Sequence, residues 1–120
     1  MKNFYFSVIL FLSILSGSFI TNHYIQNNLN YYKDVFVSVV NTEKISETVI
    51  MSVSRAKETF FKQKNMLQLF VSKEHIKDIE TDILLIENYL SEDQLMDCKE
   101  KSIEIISVIN QIKEYMSKID

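Results

Sequence analysis

The chain of 120 residues carries 13 Lys and Arg against 16 Asp and Glu, a net charge of −3 that offers a nucleic acid no basic surface. It contains no Pro, one Gly (Gly17) and one Cys (Cys98). An internal disulfide is therefore excluded, a β-sandwich or barrel lacks the residues for its turns, and long helices become the default.

The first element is apolar. No Asp, Glu, Lys or Arg occurs between Lys2 and Lys33, and Phe4 to Ile20 reads as an almost continuous hydrophobic run. At about 1.5 Å per helical residue, Phe4 to Ile25 covers roughly 30 Å, the thickness of a bilayer's hydrocarbon core. Ser7, Ser13, Ser16 and Ser18 are no obstacle, because a helical serine can bond to its own backbone. Tyr5 at one end and Tyr24, Tyr31 and Tyr32 beyond the other match the aromatic rings found at headgroup level. The expectation is a transmembrane anchor over residues 1–25 and an extracytoplasmic helical domain over 26–120. Lys2 places the start of the chain inside, since Lys33, well beyond Ile20, stands beside Asp34. The rival reading is a signal peptide cleaved near Ser18, with Ser16 and Ser18 as the small residues at the cut. Retention is favoured by the single basic residue before the run, a run longer than the usual ~7–15 residues, and the apolar residues after Ser18. Ser13 and Gly17 have the small-xxx-small spacing that lets two membrane helices approach.

Farther along, Val35, Val39, Thr42, Ser46, Val49, Val53, Ala56 and Phe60 alternate at spacings of four and three, with Thr42 and Ser46 weakening the stripe. Asn41-Thr42-Glu43 is a plausible stop and restart, Asn ending one helix and Thr capping the next. A long middle helix is then expected from about Thr42 toward Leu90, with Phe60, Phe61, Leu67, Leu69, Phe70 and Val71 giving bulk near its centre. Its second half carries the stripe Ile76, Ile79, Ile83, Ile86 and Leu90. The last helix repeats the pattern in Leu95, Cys98, Ser102, Ile105, Ile109, Ile112, Met116 and Ile119, the seam of two helices that pack on each other. Between the two stripes, Ser91-Glu92-Asp93-Gln94 has the form of a capping box with Ser91 as N-cap and Gln94 at N3, so a hairpin turn is expected near residue 91. Ile103 and Ile106 widen the last apolar face beyond a two-helix seam. The fold class expected is all-α: an N-terminal transmembrane helix followed by an antiparallel helical hairpin or three-helix bundle.

Residue types suited to chemistry are scattered. His23 and His75 are far apart, with no carboxylate or thiol at ligand spacing around both, so no metal site is expected. Glu74, Asp78 and Asp82 fall on one helical face and read as a hydrated row. Cys98 lies on the apolar stripe and reads as a buried small hydrophobe. No Gly-rich loop follows Gly17, and Ser72 and Ser107 lack a His and acid at triad-like spacing, so neither a phosphate cradle nor nucleophilic catalysis is expected. Arg55, Lys57, Lys62 and Lys64 form a basic stretch, whereas positions 74 to 104 hold ten acids. Neighbouring helices with complementary solvated faces account for that division.

One N-terminal span, the run Phe70-Val71-Ser72-Lys73-Glu74-His75-Ile76-Lys77-Asp78-Ile79-Glu80, then Tyr89-Leu90-Ser91-Glu92-Asp93 and a closing helix, together resemble a bacterial membrane-anchored family catalogued as domain of unknown function 4363. The resemblance implies a small membrane-associated helical protein, and it carries over no site residue. The expected protein is not an enzyme and has no cofactor. It would be a single-span envelope protein acting by contact with a protein partner or with itself, and not with nucleic acid. Two other classes stay open, a ligand-sensing bundle with an internal pocket lined by Tyr or by Phe60 and Phe70, and a secreted helical protein released by cleavage near Ser18.

Overall fold

The computed structural model describes residues 2–119, all of them in helices or in the short turns that join helices. The side chains of Lys2, Ser18, Phe19 and Ile119, which enter the readings above, lie outside the described set. The four helices are α1 (Lys2–Asn41), α2 (Glu47–Leu67), α3 (Lys73–Ser91) and α4 (Leu95–Ile119). The fold class is all-α. Packing joins α1 to α2, α2 to α3, α3 to α4 and α4 back to α1, and among the described residues neither diagonal pair of backbones comes as close, so the helices form an up-down ring.

Each helix buries a stripe at spacings of three and four, with one step of seven on α2. On α1 it is Ile25, Leu29, Tyr32, Phe36 and Val39; on α2 it is Val53, Ala56, Phe60 and Leu67. On α3 it is Ile76, Ile79, Ile83, Ile86 and Leu90, and on α4 Cys98, Ser102, Ile105, Ile109, Ile112 and Met116. The apolar members of the four stripes merge into one core. Leu95 sits half-buried at the start of α4.

Two features depart from the expectation. First, the middle helix is two helices, which raises the bundle from three to four. The Phe60–Leu67 stripe, continued in phase, would bring Glu74, Asp78 and Thr81 onto the core face, whereas the Ile76 stripe needs a different phase. The chain resolves the conflict by leaving the α-helix after Leu67 through tight bonds, Leu69 N–H to Met66 O (3.0 Å) and Phe70 N–H to Leu67 O (3.0 Å). Ser72 then occupies the N-cap of α3. Val71 just before it and Ile76 in the first turn are both buried, the positions of a hydrophobic staple.

Second, the helix starts lie elsewhere. Thr42 does not cap α2; Ser46 does, its Oγ accepting from the Val49 N–H at 3.3 Å, while Thr42 Oγ1 donates to the Lys44 carbonyl at 2.9 Å. Ser91 is the last residue of α3 and its Oγ donates back to the Asn88 carbonyl at 2.7 Å, so it does not open α4. Gln94 takes the N-cap place instead of N3, its carbonyl accepting from the Cys98 N–H at 3.1 Å. The intervening Glu92 and Asp93 are used in ending α3, which leaves no room for a capping box.

Candidate functional site

The feature that sets this bundle apart is the lower half of α1. The bundle begins at Ile25; toward the start of the chain α1 continues as a free rod for about five turns. Its described apolar side chains are exposed, from Val8 at 40% to Phe4 at 69%. This is one helix long and apolar enough to cross a membrane, and none of that stretch is buried. Nineteen residues from Lys2 to Ile20 rise roughly 28 Å. Apolar surface of that extent is rare on a protein surrounded by water. Gly17 faces open space among the described residues.

Immediately above the rod, α1 is clamped to α2. Tyr24, Asn28 and Tyr32 lie one turn apart on one face of α1, and Gln63 reaches all three. It accepts from the Tyr32 hydroxyl at 2.5 Å and donates to the Tyr24 hydroxyl at 3.2 Å and to Asn28 Oδ1 at 3.4 Å. Tyr32 is therefore a core residue and not a headgroup anchor, its ring edge-on to Phe60 with centroids 5.8 Å apart. Burial, then the neighbouring Tyr31 and Tyr24, push its hydroxyl far above the usual phenol range. On the other flank Lys113 of α4 donates to Asn30 of α1.

The basic stretch of α2 and the acids of α3 meet across their shared edge, Lys57 with Glu87 at 2.8 Å and Lys64 with Glu80 at 3.4 Å. Of the acidic row on α3, Glu74 and Asp78 are exposed but Asp82 is buried against α4, where it meets Glu104. Its carboxyl is pushed up to about 6, first by burial and then by the charge of Glu104, with Lys101 acting in the opposite sense. The spacing alone concealed this, because Asp82 flanks the Ile79–Ile83 seam and only the position of α4 decides whether it is covered. Among the described residues no group of three or more His, Cys, Asp or Glu is placed to hold a metal ion.

Phe60 and Phe70 do not share a pocket. Phe60 is locked in the core, whereas Phe70, with His75, Ile112, Tyr115 and Met116, lines an open cleft of about 410 Å³ at the lower end of the bundle. Cys98 is fully buried, its thiol raised by burial, and its sulfur approaches the Ile86 carbonyl at 3.8 Å. Ile76, Ile79, Ile83, Ile86 and Leu90 thus face Cys98, Ile105, Ile109, Ile112 and Met116 in the core. The buried apolar positions on α1 that sequence reasoning missed are Ile25, Leu29, Tyr32 and Phe36. Their spacing of four, three and four was legible once the apolar run was not assumed to end the helix.

Comparison of the chain with protein-family models, with curated proteins and with solved structures returned no match.

Proposed function

We propose that this is a single-span membrane protein in which the lower half of α1 is a retained anchor and the four-helix bundle is an extracytoplasmic module acting by contact with a protein partner or with a second copy. The observation that carries the reading is the rod from Lys2 to Ile20, whose length and composition suit a bilayer and whose described apolar side chains are all exposed. Orientation follows from Lys2, with the acidic remainder of the chain on the outer side. Contact is favoured over chemistry because acids and bases of the bundle pair on its outer faces, while Leu84, Ile103 and Met96 are left exposed there.

The decisive experiment is fractionation of cells with alkaline carbonate washing, followed by sequencing of the recovered chain from its first residue. The anchored reading expects the protein in the washed membrane fraction with residues 1–20 intact. A chain that begins near Thr21, or an intact chain in the aqueous fraction, overturns it.

A further inference from the structure

The turn joining α2 to α3 is unlike the turns at the other pole of the bundle. There, Glu43 and Lys44 lie between α1 and α2, and Glu92, Asp93 and Gln94 between α3 and α4, all exposed and polar. The lower turn instead exposes Leu69 to 77% and Phe70 to 47%, although Leu67 and Val71 on either side are buried. The chain leaves these two large apolar side chains outside the core while using their neighbours inside it.

Their height is fixed by Gln63. Its bonds to Tyr24, Asn28 and Tyr32 set it level with Asn28. α2 runs antiparallel to α1, so its last residue, Leu67, arrives level with about Tyr24, and the turn carrying Leu69 and Phe70 lies at about that height. The last apolar residue of the exposed rod, Ile20, is four residues below Tyr24, a rise of about 6 Å. The polar layer flanking a bilayer's hydrocarbon core is about 5–7 Å thick on each side, so a membrane crossed by the rod meets this turn.

We propose that Leu69 and Phe70 insert into the interfacial layer of the bilayer that α1 crosses, so that the bundle rests end-on against the lipid surface. The proposal rests on the anchor reading. Apolar burial drives it and charge does not, because the exposed Lys73 and Lys77 that follow the turn are matched by the exposed Glu74 and Asp78. The lipid is therefore recognised as an interface, whatever the sign of its headgroups.

The chain has no tryptophan, so single substitutions report their own surroundings. Three full-length variants, Leu69→Trp, Phe11→Trp and Met96→Trp, are reconstituted into phosphatidylcholine vesicles with or without bromine on the acyl chains. Leu69 and Met96 are equally exposed, at 77%, but belong to opposite poles of the bundle, and Phe11 lies within the rod. The expected result is a blue-shifted emission from Leu69→Trp that loses much of its intensity in brominated lipid. Phe11→Trp should lose more and Met96→Trp nothing, and neither salt nor added phosphatidylglycerol should alter the pattern. Water-like, unquenched emission from Leu69→Trp beside quenched Phe11→Trp overturns the docking and leaves the anchor standing. Unquenched Phe11→Trp removes the anchor and the docking with it. Quenching of Met96→Trp as strong as that of Leu69→Trp means a bundle lying on its side, and quenching of Leu69→Trp only with anionic lipid means a charge-driven contact; each also overturns the proposal.

Discussion

Asp82 shows how a single side chain ties this fold to pH. Its carboxyl titrates at about 6 in the folded chain against 3.8 when free, because burial and the nearby Glu104 both disfavour its charge. Between those two values the folded chain holds a proton that the unfolded chain has released. Stability therefore declines as pH rises from about 4 to about 6 and levels off above that window, the opposite of an ordinary salt-bridged aspartate. Asp82→Asn removes the decline, and at pH 7.5 it should stabilise the bundle by about 1–2 kcal/mol, discounted for solvent at the edge of the α3–α4 seam. Urea melts of both proteins at about pH 3.5 and about pH 7.5 check this, since the two should differ at the higher pH and nearly coincide at the lower. Ser102 is the other polar intruder. It is fully buried and its Oγ has no hydrogen-bond partner among the described residues, so it weakens the α4 stripe where Ala would not.

Helix ends, more than helix interiors, determine the architecture. α3 closes in a Schellman arrangement, with the Gln94 N–H bonded to the Tyr89 carbonyl at 2.9 Å and the Asp93 N–H to the Leu90 carbonyl at 3.3 Å. That geometry puts Asp93 at φ 59°, the left-handed region in which an L side chain costs roughly 1–2 kcal/mol and glycine costs little. Asp93→Gly should therefore raise stability by about 0.5–1 kcal/mol, a gain of about 3–5 °C in melting temperature, while Asp93→Val lowers it. Differential scanning calorimetry separates the two. The Ile76–Leu90 and Cys98–Met116 stripes and a reversal near residue 91 could be read in the residues, because a period of 3.5 leaves an unmistakable mark. The break after Leu67 was harder to read. No Gly or Pro marks it, and the only trace is a change of phase between Phe60–Leu67 and Ile76, which identifies a turn only if both stripes must face one core. The caps failed for a related reason. Ser91 and Thr42 have the right side chains, but the Schellman bonds and the Thr42–Lys44 turn claim those segments first.

On the scale of the molecule, a chain with its longest dimension at 68 Å and the other two near 22 Å is a rod set on a rod. Among the described residues every buried position of α1 lies at or beyond Ile25, so the bundle draws no described core side chain from the first 20 residues. A chain beginning at Thr21 should accordingly fold in detergent-free buffer with the helicity and cooperative melting of a four-helix bundle, readable by circular dichroism. Loss of that transition would mean that the rod contributes to the core. The apolar run was plain in the sequence. That the same helix continues upward as one wall of the bundle was not, because an apolar run and an amphipathic stripe look like separate elements until α2 and α4 are seen to flank both sides of residues 25–39.

The ring order also decides when the structure can close. α1 is covered on one flank by α4, and Asn30 meets Lys113, 83 positions farther along the chain. During synthesis the inner stripe of α1 emerges first, yet the wall that seals it is the last of the four to be made. A half-finished polypeptide therefore holds Ile25, Leu29, Phe36 and Val39 partly open to water. The nascent chain is most vulnerable to chaperone capture and aggregation in that interval, which ends only when α4 has been translated.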